Sequence, residues 1–361
     1  MAKDIGDPVY DLQMEAWRLP TGEAKVRLYE EALRLAEQGR GVEIKFLARI
    51  YLANAAGCAG YEEKTMTALA WCLAAFEEHE RELLEHKTDL ILLLKNFLCG
   101  VSQFPHVSRA QFEDLLGQLE SLLRRFGHTP RTAHFVRMCF ARQTGDRPTT
   151  IASRDKFLSY PRDQLSHQIA SEADEELWHY LFLGDTERAI EAGFHIIRNG
   201  LSCGNVPHFT YNGVLRPLAE MGRYQEADDF QQKGYRLIRK TRAFLDLIGY
   251  QIAYQMHRGQ TTSAIRMFER HLLWALETHD MASRYYFYTA AKHLFTSLPQ
   301  KTPTHKLSLP TSFSLYDESN EYDIAKLIQW LDQETDSLAA AFDQRNGNDY
   351  FSVEILKLLR Y

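Results

Sequence analysis

Apolar residues return along this chain at intervals of three and four. From Ser108 onward, Phe112, Leu115, Leu116, Leu119, Leu122, Leu123 and Phe126 fall at the i, i+3, i+4, i+7 spacing that lines one face of a helix. Ser108 followed by Gln111 marks its start as a capping box, in which two side chains satisfy backbone N–H groups at the helix entrance. Similar stripes run through Tyr29-Ala32-Leu33-Ala36, Ile44 to Ala56, Met66 to Phe76, Leu83 to Leu98 and Ala133 to Ala141. They predict consecutive helices joined by short connections. No stretch alternates apolar and polar residues between hairpin turns, so no β-sheet domain is expected. Most of the eleven prolines fall between stripes rather than inside them, where a helix tolerates them.

A longer period lies on top of the helical one. Gly-x-x-x-x-Ala occurs at Gly184 to Ala189, Gly222 to Ala227 and Gly259 to Ala264, spaced 38 and 37 residues apart. Each copy follows one apolar helix and opens another. The glycine can end the first helix in a left-handed turn, and the alanine lets the two helices approach closely. A helix pair repeating at this period cannot bury its apolar face alone and must stack on its neighbours.

Gly222-Arg223-Tyr224-Gln225-Glu226-Ala227, with Tyr211 and Leu215 before it, resembles the turn and second helix of a tetratricopeptide repeat (TPR). The resemblance covers about Ser171 to Phe295, and a looser form covers about Arg27 to Arg142. The first copy departs from the family in having Thr186 where an aromatic is usual, and Gly234 replaces a small residue late in a second helix. Pro161-Arg162-Asp163-Gln164-Leu165-Ser166, Leu201-Ser202-Cys203 before Pro207-His208, Glu269-Arg270-His271-Leu272 and Phe342-Asp343-Gln344-Arg345-Asn346-Gly347 resemble a group of bacterial TPR proteins. The resemblance implies an all-α, right-handed solenoid with a C-terminal capping helix, whose first helices line a concave face that binds a protein or peptide.

Setting the repeats in register places Asp174, Asn212, Gly249 and Tyr286 in one column of that face, and Trp178, Arg216, Ala253 and Ala290 in another. His257 and His293 belong to a third, and Tyr250 stands beside Gly249. The candidate ligand-binding residues are therefore Asp174, Trp178, Asn212, Arg216, Tyr250, His257, Tyr286 and His293. Asn212 and Arg216, four residues apart, could together grip a backbone group or a carboxylate, while Gly249, Ala253 and Ala290 leave room. The family's lysine-asparagine lattice for a chaperone's acidic tail is not reproduced. Tyr285-Tyr286-Phe287-Tyr288 cannot all face one core, because successive helical residues are ~100° apart, so one or two should be accessible to a partner.

The expected organisation is an N-terminal array of helical hairpins over 1–143, a connecting loop over 144–167 around Arg147-Pro148-Thr149-Thr150, and regular repeats over 168–296. A loop over 297–318 follows, and capping helices over 319–361 end the chain. One repeat beyond Ala264 lies Lys301, among Pro299, Pro303 and Pro310, so a fourth repeat keeps its first helix and loses its second.

Composition narrows the functional classes. The 361 residues carry 42 Lys+Arg against 48 Asp+Glu, a net charge of −6, which disfavours a nucleic-acid partner. No apolar run approaches the ~20 residues of a membrane span, and Met1 to Asp7 meet a charge before any apolar stretch, which predicts a cytoplasmic protein. Five cysteines without a C-x-x-C pair read as reduced core residues. Gly200-Leu201-Ser202-Cys203-Gly204 matches the G-x-S-x-G of hydrolases, but it follows a helical stripe instead of a strand. His79 and His86 among Glu77, Glu78, Glu80, Glu82 and Glu85 read as a solvated helix face. There is no phosphate loop and no zinc-like spacing. The expectation is a binding scaffold with no catalysis, metal or cofactor of its own. The alternatives are a bacterial peptide-sensing regulator or toxin-neutralising partner and, more remotely, a hydrolase using Ser202.

Overall fold

A computed structural model of the chain describes residues 7–39, 41–298 and 304–359, and the protein is all-α. The expectations placed on Met1 to Gly6, and on Pro299, Lys301 and Pro303, lie outside the described residues. No helix among the described residues is long and apolar enough to cross a membrane. The chain divides into two compact units, one of Met1–Ser102, Ala110–Phe140 and Ser153–Leu165, the other of Gln103–Arg109, Ala141–Ala152 and Ser166–Tyr361.

Among the described residues, nine α-helices run from Pro8 to Ser159: α1 (Pro8–Arg18), α2 (Glu23–Glu37), α3 (Val42–Cys58), α4 (Glu62–Glu78), the one-turn α5 (Glu80–Leu83), α6 (Lys87–Gly100), α7 (Arg109–Arg125), α8 (Arg131–Gln143) and α9 (Arg147–Ser159). In the first unit α1 packs on α2, α2 on α3 and α3 on α4. Phe46 meets Phe76 between α3 and α4 with ring centroids 6.3 Å apart, and Phe112 stacks on Phe140 at 3.7 Å. The α7 stripe is buried as its periodicity predicts, at Phe112, Leu116, Leu119, Leu122 and Leu123.

The second unit carries the repeats: α10 (Ile169–Leu183), α11 (Thr186–Arg198), α12 (His208–Gly213), α13 (Leu215–Glu220), α14 (Tyr224–Ile238), α15 (Leu245–His257), α16 (Thr261–Glu277) and α17 (Met281–Thr296). Gly184, Gly222 and Gly259 end their helices at φ of 76°, 71° and 69°. After each, the next N–H reaches back five residues: Asp185 to the Tyr180 carbonyl at 2.9 Å, Arg223 to Leu218 at 2.8 Å and Gln260 to Gln255 at 2.8 Å. This left-handed ending satisfies carbonyls the helix would leave bare and reverses the chain. Ala189, Ala227 and Ala264 then sit fully buried where the second helix crosses the first. The same turn recurs at Gly60, Gly127 and Gly145, so the N-terminal hairpins use it despite their irregular spacing.

Past α17 the described residues hold no second helix of a pair before α18 (Ile324–Asn346). In its place Leu307, Leu309 and Phe313 bury themselves against α15 to α17. A two-stranded antiparallel ribbon, β1 (Thr304–Lys306) with β2 (Glu321–Asp323), closes this segment, so the expected loop is partly paired. Asp323 then caps α18, accepting the Ala325 and Lys326 N–H groups. After Gly347, at φ 70°, the chain winds through a π-helical turn, Tyr350–Ile355, and the three-residue α19 (Leu356–Leu358).

Two boundaries need correction. The connecting loop over 144–167 contains α9: Asp146 accepts the Thr149 N–H at the helix start, and Pro148 stands in the first turn, where a missing N–H costs nothing. The break at 143 also fails, because 103–109 and 141–152 belong with the repeats. Arg109 pairs with Asp146 at 3.0 Å and donates to the Asn346 carbonyl at 2.9 Å, while Asn348 donates to the Thr144 carbonyl at 2.8 Å. The C-terminal turn thus gathers both segments.

In the repeats α15 and α17 meet backbone to backbone, where a Cβ on Gly249 would stand 2.8 Å from the Tyr286 carbonyl oxygen. Gly249→Ala is expected to lower stability by about 1–3 kcal/mol, as overpacked cores do, read as a lower Tm. Ala227→Leu should act in the same direction for the same reason. An unchanged melt for both would mean that these helices have slack.

Candidate functional site

The predicted columns divide into residues that pack helices together and residues that stay accessible. Asn212 is buried and not a groove residue. Its amide donates to the His208 carbonyl at 2.7 Å and accepts from Gln251 at 2.6 Å, and Gln251 in turn accepts from Gln231 at 2.7 Å. This chain of amides links α12, α14 and α15, and it fits because Gly234 presents no side chain there. Asn212 and Arg216 do not share one helix. Pro217 lacks an N–H and its ring opposes the Gly213 carbonyl four residues earlier, which splits the segment into α12 and α13. Gly249, Ala253 and Ala290 leave no room either. Gly249 lies against the α17 backbone, and both alanines are buried.

Asp174 is buried too, accepting from Thr210 Oγ1 at 2.5 Å and Trp178 Nε1 at 3.1 Å. Those bonds hold Trp178 so that its indole covers Gly213 and meets Tyr250 edge-on at 5.9 Å. Tyr250 stacks on Tyr286 at 5.7 Å. Trp178, Tyr250 and Tyr286, from α10, α15 and α17, therefore form one row, and each is half-buried. Their neighbours in the aromatic run, Tyr285, Phe287 and Tyr288, are buried, Tyr288 against Trp330 of α18. His257 is exposed and lies with its ring 5.9 Å from Tyr224 of α14, away from the row, and His293 is half-buried two turns beyond Tyr286.

Beside the row runs a groove between α15, α17 and α18, and the C-terminal segment fills it. Phe351, Ile355 and Leu359 are buried with Ala253, Tyr285, Ala339 and Phe342. Phe351 stacks on Phe342 at 4.1 Å. Fully burying side chains of this size contributes about 1.5–3 kcal/mol each. The Tyr285 hydroxyl donates to the Phe351 carbonyl at 2.6 Å. Arg216 donates to the Lys357 carbonyl at 2.7 Å, its Nε holding Glu220. Arg216 thus grips a backbone group, as its chemistry suggests, but the backbone is the chain's own.

The row lies in a polar, poorly solvated setting. Burial pushes the hydroxyls of Tyr250 and Tyr286 above the usual phenol range and that of Tyr350 to about 12, with the Arg142 guanidinium opposing the rise in each. Arg142 is itself held bidentately by Glu175, at 2.9 to 3.2 Å. Asp246, one turn before Tyr250, has Oδ1 buried with no hydrogen-bond partner. Burial, reinforced by Asp280, raises its carboxyl to about 7. Burial likewise raises Asp174 to about 7 against the bonds from Thr210 and Trp178. Sequence periodicity missed Arg142, Glu175, Asp246 and Tyr350, which lie outside the repeat columns. The Phe351, Ile355, Leu359 spacing was the one available signal for the occupied groove.

Elsewhere, Ser202 is exposed in the loop between α11 and α12, after a helix and not a strand. His86 pairs with Glu43 at 2.9 Å and His79 with Glu82 at 3.3 Å. The described residues hold no group of three or more His, Cys, Asp or Glu placed to bind a metal. Cys72 and Cys139 are buried, but Cys58 is exposed and Cys99 and Cys203 are half-buried, so the reading of all five as core residues holds for two. A cleft of about 740 Å³ opens in the first unit, lined by α4, α6 and α7 residues such as Phe76, Leu90, Glu113 and Gly117. It contains none of the predicted residues. Neither a protein-family model nor a curated protein matches this chain.

Two outcomes follow. Asn212→Ala should cost about 1–3 kcal/mol by leaving the Gln251 amide unsatisfied, seen as an earlier unfolding transition. The folded state keeps a proton on Asp246 that the unfolded chain, with a pKa of 3.8, would release, so this group's contribution is present at low pH and is lost as pH rises toward 7. Asp246→Asn, which mimics the protonated carboxyl, should raise Tm at pH 8 and change it little at pH 4.

Proposed function

We propose that this chain is a non-catalytic scaffold of TPR type, a right-handed solenoid that binds a peptide or protein segment along the face lined by the first helices of its repeats. The observation that carries this reading is the row Trp178, Tyr250 and Tyr286: three large aromatics from three helices, each in contact with the next and each still partly exposed. Such side chains supply broad contact area with little conformational entropy to lose, which is why they anchor partners. The neighbouring groove supports it further, because that face already holds a segment of polypeptide through apolar anchors and bonds to main-chain carbonyls. Asp174 serves by orienting Trp178, and Arg216 by holding backbone.

The test is to pan a random peptide library on the full chain and measure the selected peptides calorimetrically. Trp178→Ala should weaken them by about thirtyfold, the loss of a ~2 kcal/mol anchor. Peptides bound equally well by the wild type and by a folded Trp178→Ala, Tyr250→Ala variant would place recognition elsewhere.

A further inference from the structure

The C-terminal segment is held as a bound peptide is held. Between Phe351 and Leu359 the backbone makes a π-helical turn and less than one turn of α-helix, far short of the ~12 residues an isolated helix needs to persist in water. The groove gives it its shape. Phe351, Ile355 and Leu359 point inward at i, i+4 and i+8, while Ser352, Glu354 and Lys357 are exposed. This is the anchor pattern of an amphipathic helix laid in a groove.

The polar contacts across the groove have a telling feature. Tyr285 donates to the Phe351 carbonyl and Arg216 to the Lys357 carbonyl, and neither bond reads a side chain of the segment. Carbonyls belong to every peptide, so these two donors serve any segment with the right anchors. Upstream the chain is pinned: Asn348 holds the Thr144 carbonyl, and the Tyr350 ring lies where a Cβ on Gly145 would stand, 2.6 Å away. Asp343 of α18 accepts the Phe351 and Ser352 N–H groups at the start of the segment. Departure of the segment would therefore break those two bonds, begin beyond Tyr350 and leave α18 in place.

We propose that residues 351–359 are a resident occupant of a partner groove. The partner is an amphipathic helical segment of another protein, with an aromatic anchor and aliphatic anchors four and eight residues after it, and it enters as 351–359 leave. This rests on the peptide-binding reading above, which it narrows to a helical ligand regulated in cis by residues 351–359 of the same chain.

The probe is a fluorescein-labelled peptide of residues 349–359, titrated against the full chain as wild type and with Ile355→Asp plus Leu359→Asp. The variant should bind at least about tenfold more tightly, because a tethered segment competes at roughly millimolar local concentration. Adding Tyr285→Phe should weaken that binding, and a peptide with its anchors shifted by one position should not bind. Equal binding by wild type and variant, or equal binding of the shifted peptide, would overturn the proposal. Should the double variant fail to fold, hydrogen exchange on the wild type decides. Amides of 353–359 should exchange through an opening that leaves α15, α17 and α18 protected, and exchange only together with those helices would overturn it. Library peptides that need Trp178 yet leave the labelled peptide in place would sink this inference alone.

Discussion

The close contact of α15 with α17 at Gly249 is the constraint on which the second unit depends. With no side chain at that crossing, the α15 backbone comes against the Tyr286 carbonyl, and the flanking residues follow. Tyr250, next to the glycine, is brought onto the Tyr286 ring. Ala253, one turn on, is brought beside Tyr285 to floor the groove that receives Phe351. A larger residue at 249 would separate the helices and disturb the aromatic row and the groove together. The amide chain through Asn212, Gln251 and Gln231 ties α12 and α14 to the same helix, so α15 is fixed from both sides.

The C-terminal segment has two mechanical roles. Its first part, from Asp343 to Tyr350, is structural: Arg345 and Asn348 donate to the carbonyls of Phe104 and Thr144, which draws 103–109 and 141–152 into the repeat unit. Arg345 is buried enough, and near enough to Arg109, for its pKa to fall to about 10, a cost that this assembly of segments sustains. Its second part, past Tyr350, is held by apolar anchors, two carbonyl bonds and the Asp343 carboxylate on the Phe351 and Ser352 N–H groups. The division falls at the end of α18, where Gly347 turns the chain.

Around the row, burial shifts acidic groups toward their neutral forms. Asp174 and Asp246 are raised to about 7, and Asp280 is raised as well. Asp174 has a visible task, the placement of Trp178. Asp280 also has one, since it caps α17 through Ser283. Asp246 is coupled to Asp280, Tyr250 and Tyr286, so the stability of this region is linked to pH at the place where the aromatic face is built.

Local rules determined much of this protein from sequence alone. Helices followed from the three-and-four spacing of apolar residues, because that spacing is set by helix geometry within a few turns. The repeat turns followed from Gly184, Gly222 and Gly259, because a left-handed residue favours glycine wherever it stands. The α9 helix was hidden by Pro148, which looks like a breaker until its place in the first turn is known. Only tertiary structure decided what the first helices face. A small residue on such a helix reads the same whether it makes room for a ligand or for another helix, and Gly249, Ala253 and Ala290 turned out to do the second. Asn212 and Arg216 looked alike as polar groups one turn apart, yet Pro217 separated their helices, burying one in an amide network and leaving the other on the C-terminal segment. That segment lies some 140 positions from Arg216 along the chain, and no local pattern encodes so distant a contact.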